Sequence, residues 1–286
     1  MTRYGTVAIV GPGLIGASVG LALRRGPWAR EVVGIGRKAA SVRKAASCGA
    51  VDRTTTDLER GVAGADFVVV CTPVSSIAAV VRDVIRSCPP TAMVTDAGST
   101  KARIVQDVQR CFAAATAHQR AMFVGSHPLA GDHRAGAAFA RADLFDGRVA
   151  VVTPHAHAPT SRVNRVRAFW RTLGARVLTM SPAEHDRGLA AASHVPHVVA
   201  SALASATPAN VLQLVAGGWR DATRIAASDP ELWQQILFAN RSHVLRSLNR
   251  VERNLRGLRE AIDRQNTKQL VRLLSEAKRR RDAVGS

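Results

Sequence analysis

Short apolar runs alternating with longer amphipathic stretches, a glycine-rich turn after the first run, and the loss of every strand signal beyond residue 180 predict the fold class. It is a Rossmann-type α/β dinucleotide-binding domain over residues 1–180, followed by an all-helical domain over residues 181–286. The expected strands are Thr6–Val10, Glu31–Ile35, Asp66–Cys71, Ala92–Thr95, Ala121–Val124 and Val149–Val152. Each is a short continuous apolar run, the form taken by parallel strands covered on both faces. One more strand is expected near Arg176–Met180, after an amphipathic helix around Val163–Leu173. Ser181-Pro182 marks the change of pattern. Beyond it, Val251, Leu255, Leu258 and Ile262 recur at steps of three and four, which is one face of a helix.

The first turn is the most informative. Gly11-Pro12-Gly13-Leu14-Ile15-Gly16 is a G-x-G-x-x-G sequence placed after a strand and before a helix expected to start near Leu14. Gly11 permits the tight turn, Gly13 lets the backbone approach a pyrophosphate, and Gly16 lets helix and strand pack closely. The helix N-terminus offers free N–H groups to the anion. The alternative is a tight turn without a ligand. The second strand bears on which cofactor binds. NAD sites usually end it with a carboxylate that holds the ribose hydroxyls. Here it ends Gly34-Ile35-Gly36-Arg37-Lys38, with two cations where a 2′-phosphate sits. NADP is the expected cofactor, with NAD possible if Arg37 only stacks on adenine.

The chain carries 40 Lys and Arg against 21 Asp and Glu, a formal charge of +19. The excess is nearly all arginine, spread along the chain, so it reads as solvated surface that attracts small anionic ligands and not as a nucleic-acid-binding face. Cys48, Cys71, Cys88 and Cys111 are scattered and form no C-x-x-C pair, so neither a zinc site nor a redox motif is indicated. Cys71 is expected to be a buried free thiol. His194 and His197 share a helix spacing but lack a third metal ligand. With no apolar run of membrane-spanning length and no signal-peptide pattern at Met1–Tyr4, a cytoplasmic enzyme is expected.

Five segments then fall into one order: Val70-Cys71-Thr72-Pro73, Asp96-Ala97-Gly98-Ser99-Thr100-Lys101, Gly125-Ser126-His127-Pro128-Leu129-Ala130-Gly131, Ser193-His194-Val195-Pro196-His197, and Gly217 through Ala226 with Asp221-Ala222-Thr223-Arg224-Ile225-Ala226. This order resembles the prephenate/arogenate (cyclohexadienyl) dehydrogenase family over nearly the whole chain. The resemblance implies oxidative decarboxylation of prephenate or arogenate with hydride transfer to NAD(P)+, giving 4-hydroxyphenylpyruvate or tyrosine, in tyrosine biosynthesis.

The resemblance also assigns residues. His127 is the proton acceptor for the substrate hydroxyl, a role suited to a neutral imidazole; its structural alternative is a histidine closing a strand. Ser99 hydrogen-bonds that histidine or the hydroxyl, or else caps the next helix. Thr72 and Pro73 lie at the cofactor. His197 binds substrate from a helix N-terminus capped by Ser193, and His194 is structural. Arg224 clamps the substrate carboxylate, oriented by Asp221. Trp233 shapes substrate choice or is a core tryptophan. Gly217 is donated across a homodimer interface formed by the helical domain. Asp132 departs from the Thr or Ser of many relatives. It meets the amino group of arogenate or pairs with Arg134. With the chain ending soon after the helical domain, no regulatory domain is expected. The rival readings are another 3-hydroxyacid-type dehydrogenase, for which no catalytic lysine or His–Glu pair is evident, and a non-enzymatic NADP- or nucleic-acid-binding protein on the same fold.

Overall fold

A computed structural model describes residues 4–113, 116–132 and 134–285. Strand β1 (Tyr4–Val10) turns through the glycine loop into helix α1 (Leu14–Arg24). There follow β2 (Ala29–Ile35), α2 (Ala39–Ser47), β3 (Arg53–Thr55), α3 (Leu58–Val62), β4 (Phe67–Val70), α4 (Ile77–Ser87) and β5 (Met93–Asp96). These strands form one sheet in the order β3-β2-β1-β4-β5, every pair parallel. The chain reverses its direction of build between β1 and β4, which leaves a crevice at their carboxyl ends. β4 is buried along its whole length, as its unbroken Phe-Val-Val-Val run predicts. β3 escapes the sequence pattern because it is a three-residue, partly exposed edge strand, Arg-Thr-Thr, with no apolar signal.

The next segment departs from expectation. After α5 (Ala102–Cys111), helix α6 (Ala117–Ala121) takes the start of the expected Ala121–Val124 strand; Thr116 and Gln119 close a capping box at its front. Only an isolated parallel bridge joins Phe123 to Val94. The strand proper is β6 (Gly125–Pro128), which pairs antiparallel with β7 (Val149–Thr153); β7 in turn pairs parallel with β8 (Arg176–Thr179). His127 therefore lies in an antiparallel pair and not at the end of a parallel strand. Helix α7 (Thr160–Thr172) covers this region with Phe169 and Trp170, both fully buried. Phe169 stacks on Phe67 at 4.3 Å between ring centroids, and the Trp170 indole donates to Ser126 Oγ at 2.8 Å.

After β8 no strand occurs among the described residues. Ser181 and Glu184 form a capping box, with Pro182 opening the first turn of α8 (Pro182–Leu189). A π-helical turn, Ala190–His194, joins it without a break to α9 (Val195–Ala206). Pro196 has no N–H to offer the preceding turn, which accounts for the widened helix there. Ser193 is thus inside a helix and caps nothing, and His197 does not sit at a free helix N-terminus. The continuous helix Pro182–Ala206 is also long and apolar enough, by length and composition, to cross a membrane, contrary to expectation. Its buried His185, Asp186, His194 and His197 are, however, turned into the protein. Then come α10 (Gly217–Thr223), α11 (Pro230–Ala239), α12 (Arg241–Asp263) and α13 (Thr267–Asp282). By compactness the chain divides into Met1–Asn240 and Arg241–Ser286, so the change from strands to helices and the change of compact unit fall at different places.

Candidate active site

A cavity of about 760 Å³ opens at the crevice between β1 and β4. It is lined by the loops after β1 (Gly11, Gly13), β2 (Arg37, Lys38) and β4 (Thr72, Pro73). Gly11 has φ +87°, and a side chain on it would meet the Cys71 carbonyl at 2.8 Å. Gly13 faces open space, with nothing within 4 Å of where a Cβ would stand. A Cβ on Gly16 would sit 2.5 Å from the Gly11 carbonyl and 2.8 Å from Ile9, so this glycine holds α1 against β1. The first turn of α1, with Leu14 and Ile15, has no side-chain cap and no acidic residue. The Thr72 hydroxyl is buried without a hydrogen-bond partner among the described residues. Open backbone at Gly13, an uncapped helix end and an orphaned hydroxyl all fit a bound dinucleotide phosphate. Arg37, Lys38 and Lys44 line the far side, and no carboxylate is among the lining residues. Cys71 is a free thiol but lines the cavity and is only partly buried; its surroundings push its pKa up, so it stays protonated.

The second centre is built on the loop between β5 and α5. Lys101, fully buried, pairs with the equally buried Asp96 and donates to the Ser126 carbonyl at 2.8 Å. Burial lowers the Lys101 pKa, and Asp96 partly restores it. Asp96 also accepts from the backbone of Ser126 at 3.1 Å, so β5 and β6 are joined through this pair. The N-terminus of α5 has no cap of its own. Asp186, from α8, accepts the N–H groups of Lys101 at 2.7 Å and Ala102 at 2.9 Å. His127, on β6, is partly buried. Its Nδ1 lies 2.9 Å from His185 Nε2, and His185 Nδ1 lies 2.8 Å from Asp186 Oδ1. Burial is the main cause that holds His127 well below the usual histidine pKa, and the neighbouring His185, Lys101 and His194 act in the same direction.

The remaining expected residues fall into two groups. His197, on α9, stacks on Trp233 of α11, with centroids 3.5 Å apart and planes 11° off parallel. Its Nδ1 is buried with no partner among the described residues. His194 meets the edge of the same indole and lies 3.2 Å from Asn240, whose amide also donates to the Asp186 carbonyl at 2.7 Å. Trp233 thus packs between site histidines and also against the core. Gly217, Asp221 and Arg224, in contrast, are exposed. Asp221 and Arg224 make no hydrogen bond or ion pair among the described residues, so Asp221 does not orient Arg224 as expected. Ser99 does not cap α5, where Lys101 holds the cap position, and its hydroxyl makes no hydrogen bond among the described residues. Asp132 takes the second of its two expected roles and grips Arg134 through both oxygens, at 3.0 and 2.8 Å. His133 lies outside the described residues.

Against known proteins, residues 19–179 match the nucleotide-binding domain of prephenate dehydrogenase, and residues 181–276 match its dimerization domain. The chain belongs to the prephenate dehydrogenase family. A cyclohexadienyl dehydrogenase from Zymomonas mobilis is 32 % identical over 99 % of this chain and 97 % of its own length. The structure of prephenate dehydrogenase from Aquifex aeolicus, in complex with hydroxyphenyl propionate and NAD+, aligns at TM-score 0.88 with 31 % identity, covering 99 % of this chain and 98 % of that one. Synechocystis arogenate dehydrogenase aligns at TM-score 0.81 with 30 % identity, covering 98 % and 99 %.

Membership in this family makes the chain a dehydrogenase with a nucleotide-binding domain. His185, Asp186 and Asn240 join the centre around His127 although no motif singles them out. For the first two a signal exists: Glu184-His185-Asp186-Arg187 puts four titratable side chains at the start of an otherwise small and apolar helix. The burial of His185 and Asp186 against β6 and α5 depends on contacts 58 to 85 residues away, which periodicity does not report.

Proposed function

We propose that this chain oxidises and decarboxylates a cyclohexadienol of the prephenate type, with NADP as the preferred hydride acceptor. The observation that carries the reading is His127, a partly accessible imidazole kept neutral by its surroundings, on the strand next to the nucleotide-binding sheet. When bound, the nicotinamide takes hydride from the ring carbon that bears the hydroxyl. His127 accepts the hydroxyl proton as that carbon becomes a carbonyl. The dienone then loses its ring carboxylate as CO2. The electron pair released reaches the carbonyl oxygen, and His127 returns the proton there to give the phenol. Substrate and oxidised cofactor thus become phenol, CO2 and reduced cofactor, and aromatisation drives the second step without another catalyst.

Arg224 suits the carboxylate clamp because its guanidinium is exposed and unpaired among the described residues. His197, with its buried and unpartnered Nδ1, and Trp233, stacked on it, form the wall for the ring. Ser99, with its hydroxyl uncommitted, serves the substrate hydroxyl or His127. NADP preference rests on Arg37, Lys38 and Lys44 around a cavity rim that has no carboxylate. Prephenate is the favoured substrate of the two, because Arg134 already neutralises the Asp132 carboxylate that would otherwise recruit the ammonium of arogenate.

Assembly as a homodimer goes with this reading. Leu203, Leu212 and Leu214 are exposed on the segment before α10, as are Leu255, Ile262, Val271 and Leu274 on α12 and α13. Gly217 opens α10 with bare space around it, which suits a backbone contact from a second copy. A cytoplasmic place in tyrosine biosynthesis follows from the same substrate. Steady-state kinetics with prephenate and arogenate, each with NAD and NADP, test the proposal. The highest kcat/KM is expected for prephenate with NADP, and no turnover of either substrate would refute it.

A further inference from the structure

The hydrogen bonds behind His127 dictate where its proton sits. Asp186 accepts two backbone N–H groups, from Lys101 and Ala102, and a third bond from His185. Burial works to raise its pKa, but these three bonds together hold it below the ordinary carboxylate value. An ionised carboxylate can only accept. His185 must therefore carry its proton on Nδ1, which leaves Nε2 of the neutral ring as a bare acceptor. Among the described residues, the hydrogen available to that acceptor, 2.9 Å away, is one on His127 Nδ1. His127 is then bare at Nε2. That is the tautomer an isolated histidine disfavours, and it is the one a base working through Nε2 requires.

We propose that His185 and Asp186 are positioning residues that fix His127 as its Nδ1–H tautomer and so make Nε2 the proton-accepting atom. The inference rests on the reading of His127 as the base. Both partners are built in: His185 is fully buried and Asp186 is 1 % exposed. Asn240 pins the Asp186 carbonyl at 2.7 Å, and the Asp186 carboxylate is fixed on the backbone that begins α5. Positive charge arriving on His127 is spread toward an anion through His185, which offsets the cost of charging a poorly solvated ring. The other titratable groups facing the pair are Lys101, itself bound to Asp96, and His194 from the π-helical turn.

The test is NMR of the full-length chain labelled with ¹⁵N in its histidine rings, with the His127 signals identified by their loss in His127→Asn. Wild-type His127 is expected to show a protonated Nδ1 and a bare Nε2 at neutral pH. In His185→Phe the acceptor is gone; His127 should move to the Nε2–H form and kcat should fall about 10- to 10³-fold, with a changed acid limb in the pH profile. His185→Gln places an amide oxygen near the position of Nε2. It should keep the Nδ1–H form and recover at least about tenfold in kcat over the Phe variant. Should His185→Phe not fold, the wild-type and Gln spectra still decide. An Nε2–H His127 in the wild type would overturn the proposal, and so would an unchanged tautomer and pH profile in His185→Phe. Full kcat in His127→Asn, with the tautomers as expected, overturns the base reading while supporting the hydrogen-bond chain itself.

Discussion

Lys101 is an ammonium with no exposed surface, and Asp96 is what makes it tolerable there. Removing one partner of such a pair leaves a bare buried charge, at a cost of about 3–5 kcal/mol. Asp96→Ala should lose stability on that scale in chemical denaturation, while an exposed pair such as Arg103–Asp107 should contribute less than about 1 kcal/mol. Arg37 makes a separate residue-scale prediction. Arg37→Ser should cut kcat/KM with NADP by about 1–3 kcal/mol, the scale of a charge-assisted hydrogen bond, with little change for NAD. Equal losses with both cofactors would place Arg37 on the adenine instead. Residues placed by local sequence were legible in this chain: the glycine loop and the cations after β2 line one cavity, and His127 lies on β6. Residues that act through a distant partner were not. Asp186 caps a helix that begins 84 residues earlier, and nothing near it in the sequence announces that role.

Among the elements, the turn from β1 to α1 separates binding from folding. Gly13 has only open space around it, whereas Gly16 is pressed against Gly11 and Ile9. Gly13→Ala should therefore keep wild-type stability and lose dinucleotide affinity, measured by calorimetric titration. Gly16→Ala should lose both, because α1 must move off β1. Continuous apolar strands such as β4 and β7 declared themselves, since burial on both faces needs apolar residues throughout. β3 and β6 did not. β3 is a polar edge, and β6, the sequence Gly-Ser-His-Pro, pairs with β7 and takes polar side-chain bonds from Asp96 and Lys101, which leave no apolar pattern. The π-helical turn before Pro196 is invisible for a related reason: the spacing of His194 and His197 predicts a regular helix start, and the helix runs on from α8 through a widened turn.

For the whole molecule, buried histidines set the response to acid. Burial brings His194 down to about 4, even though Asp186 works to raise it, and His127, His155 and His197 are lowered too. Their unfolded value is near 6.5, so on acidification the unfolded chain takes protons first. Stability should fall as pH drops from about 6.5 toward 4, by roughly 3 kcal/mol from His194 alone. The contribution of the depressed Asp186 is lost only below the unfolded carboxylate value, in the same direction. Thermal melting across this range checks the sign; a Tm that rises toward pH 5 would contradict it. The homodimer is checked by light scattering at assay concentrations, where a fully active monomer would rule it out.

The lowered His127 pKa also moves the expected acid limb of activity below the ordinary histidine value, since only the neutral ring can accept a proton. The central claim is that His127 is that acceptor, and kcat of His127→Asn across pH tests it most directly. The account predicts a kcat about 10²–10⁴-fold lower, the loss of the acid limb, and a cofactor affinity close to wild type. Wild-type kcat at every pH would contradict it, whatever the identity of the substrate.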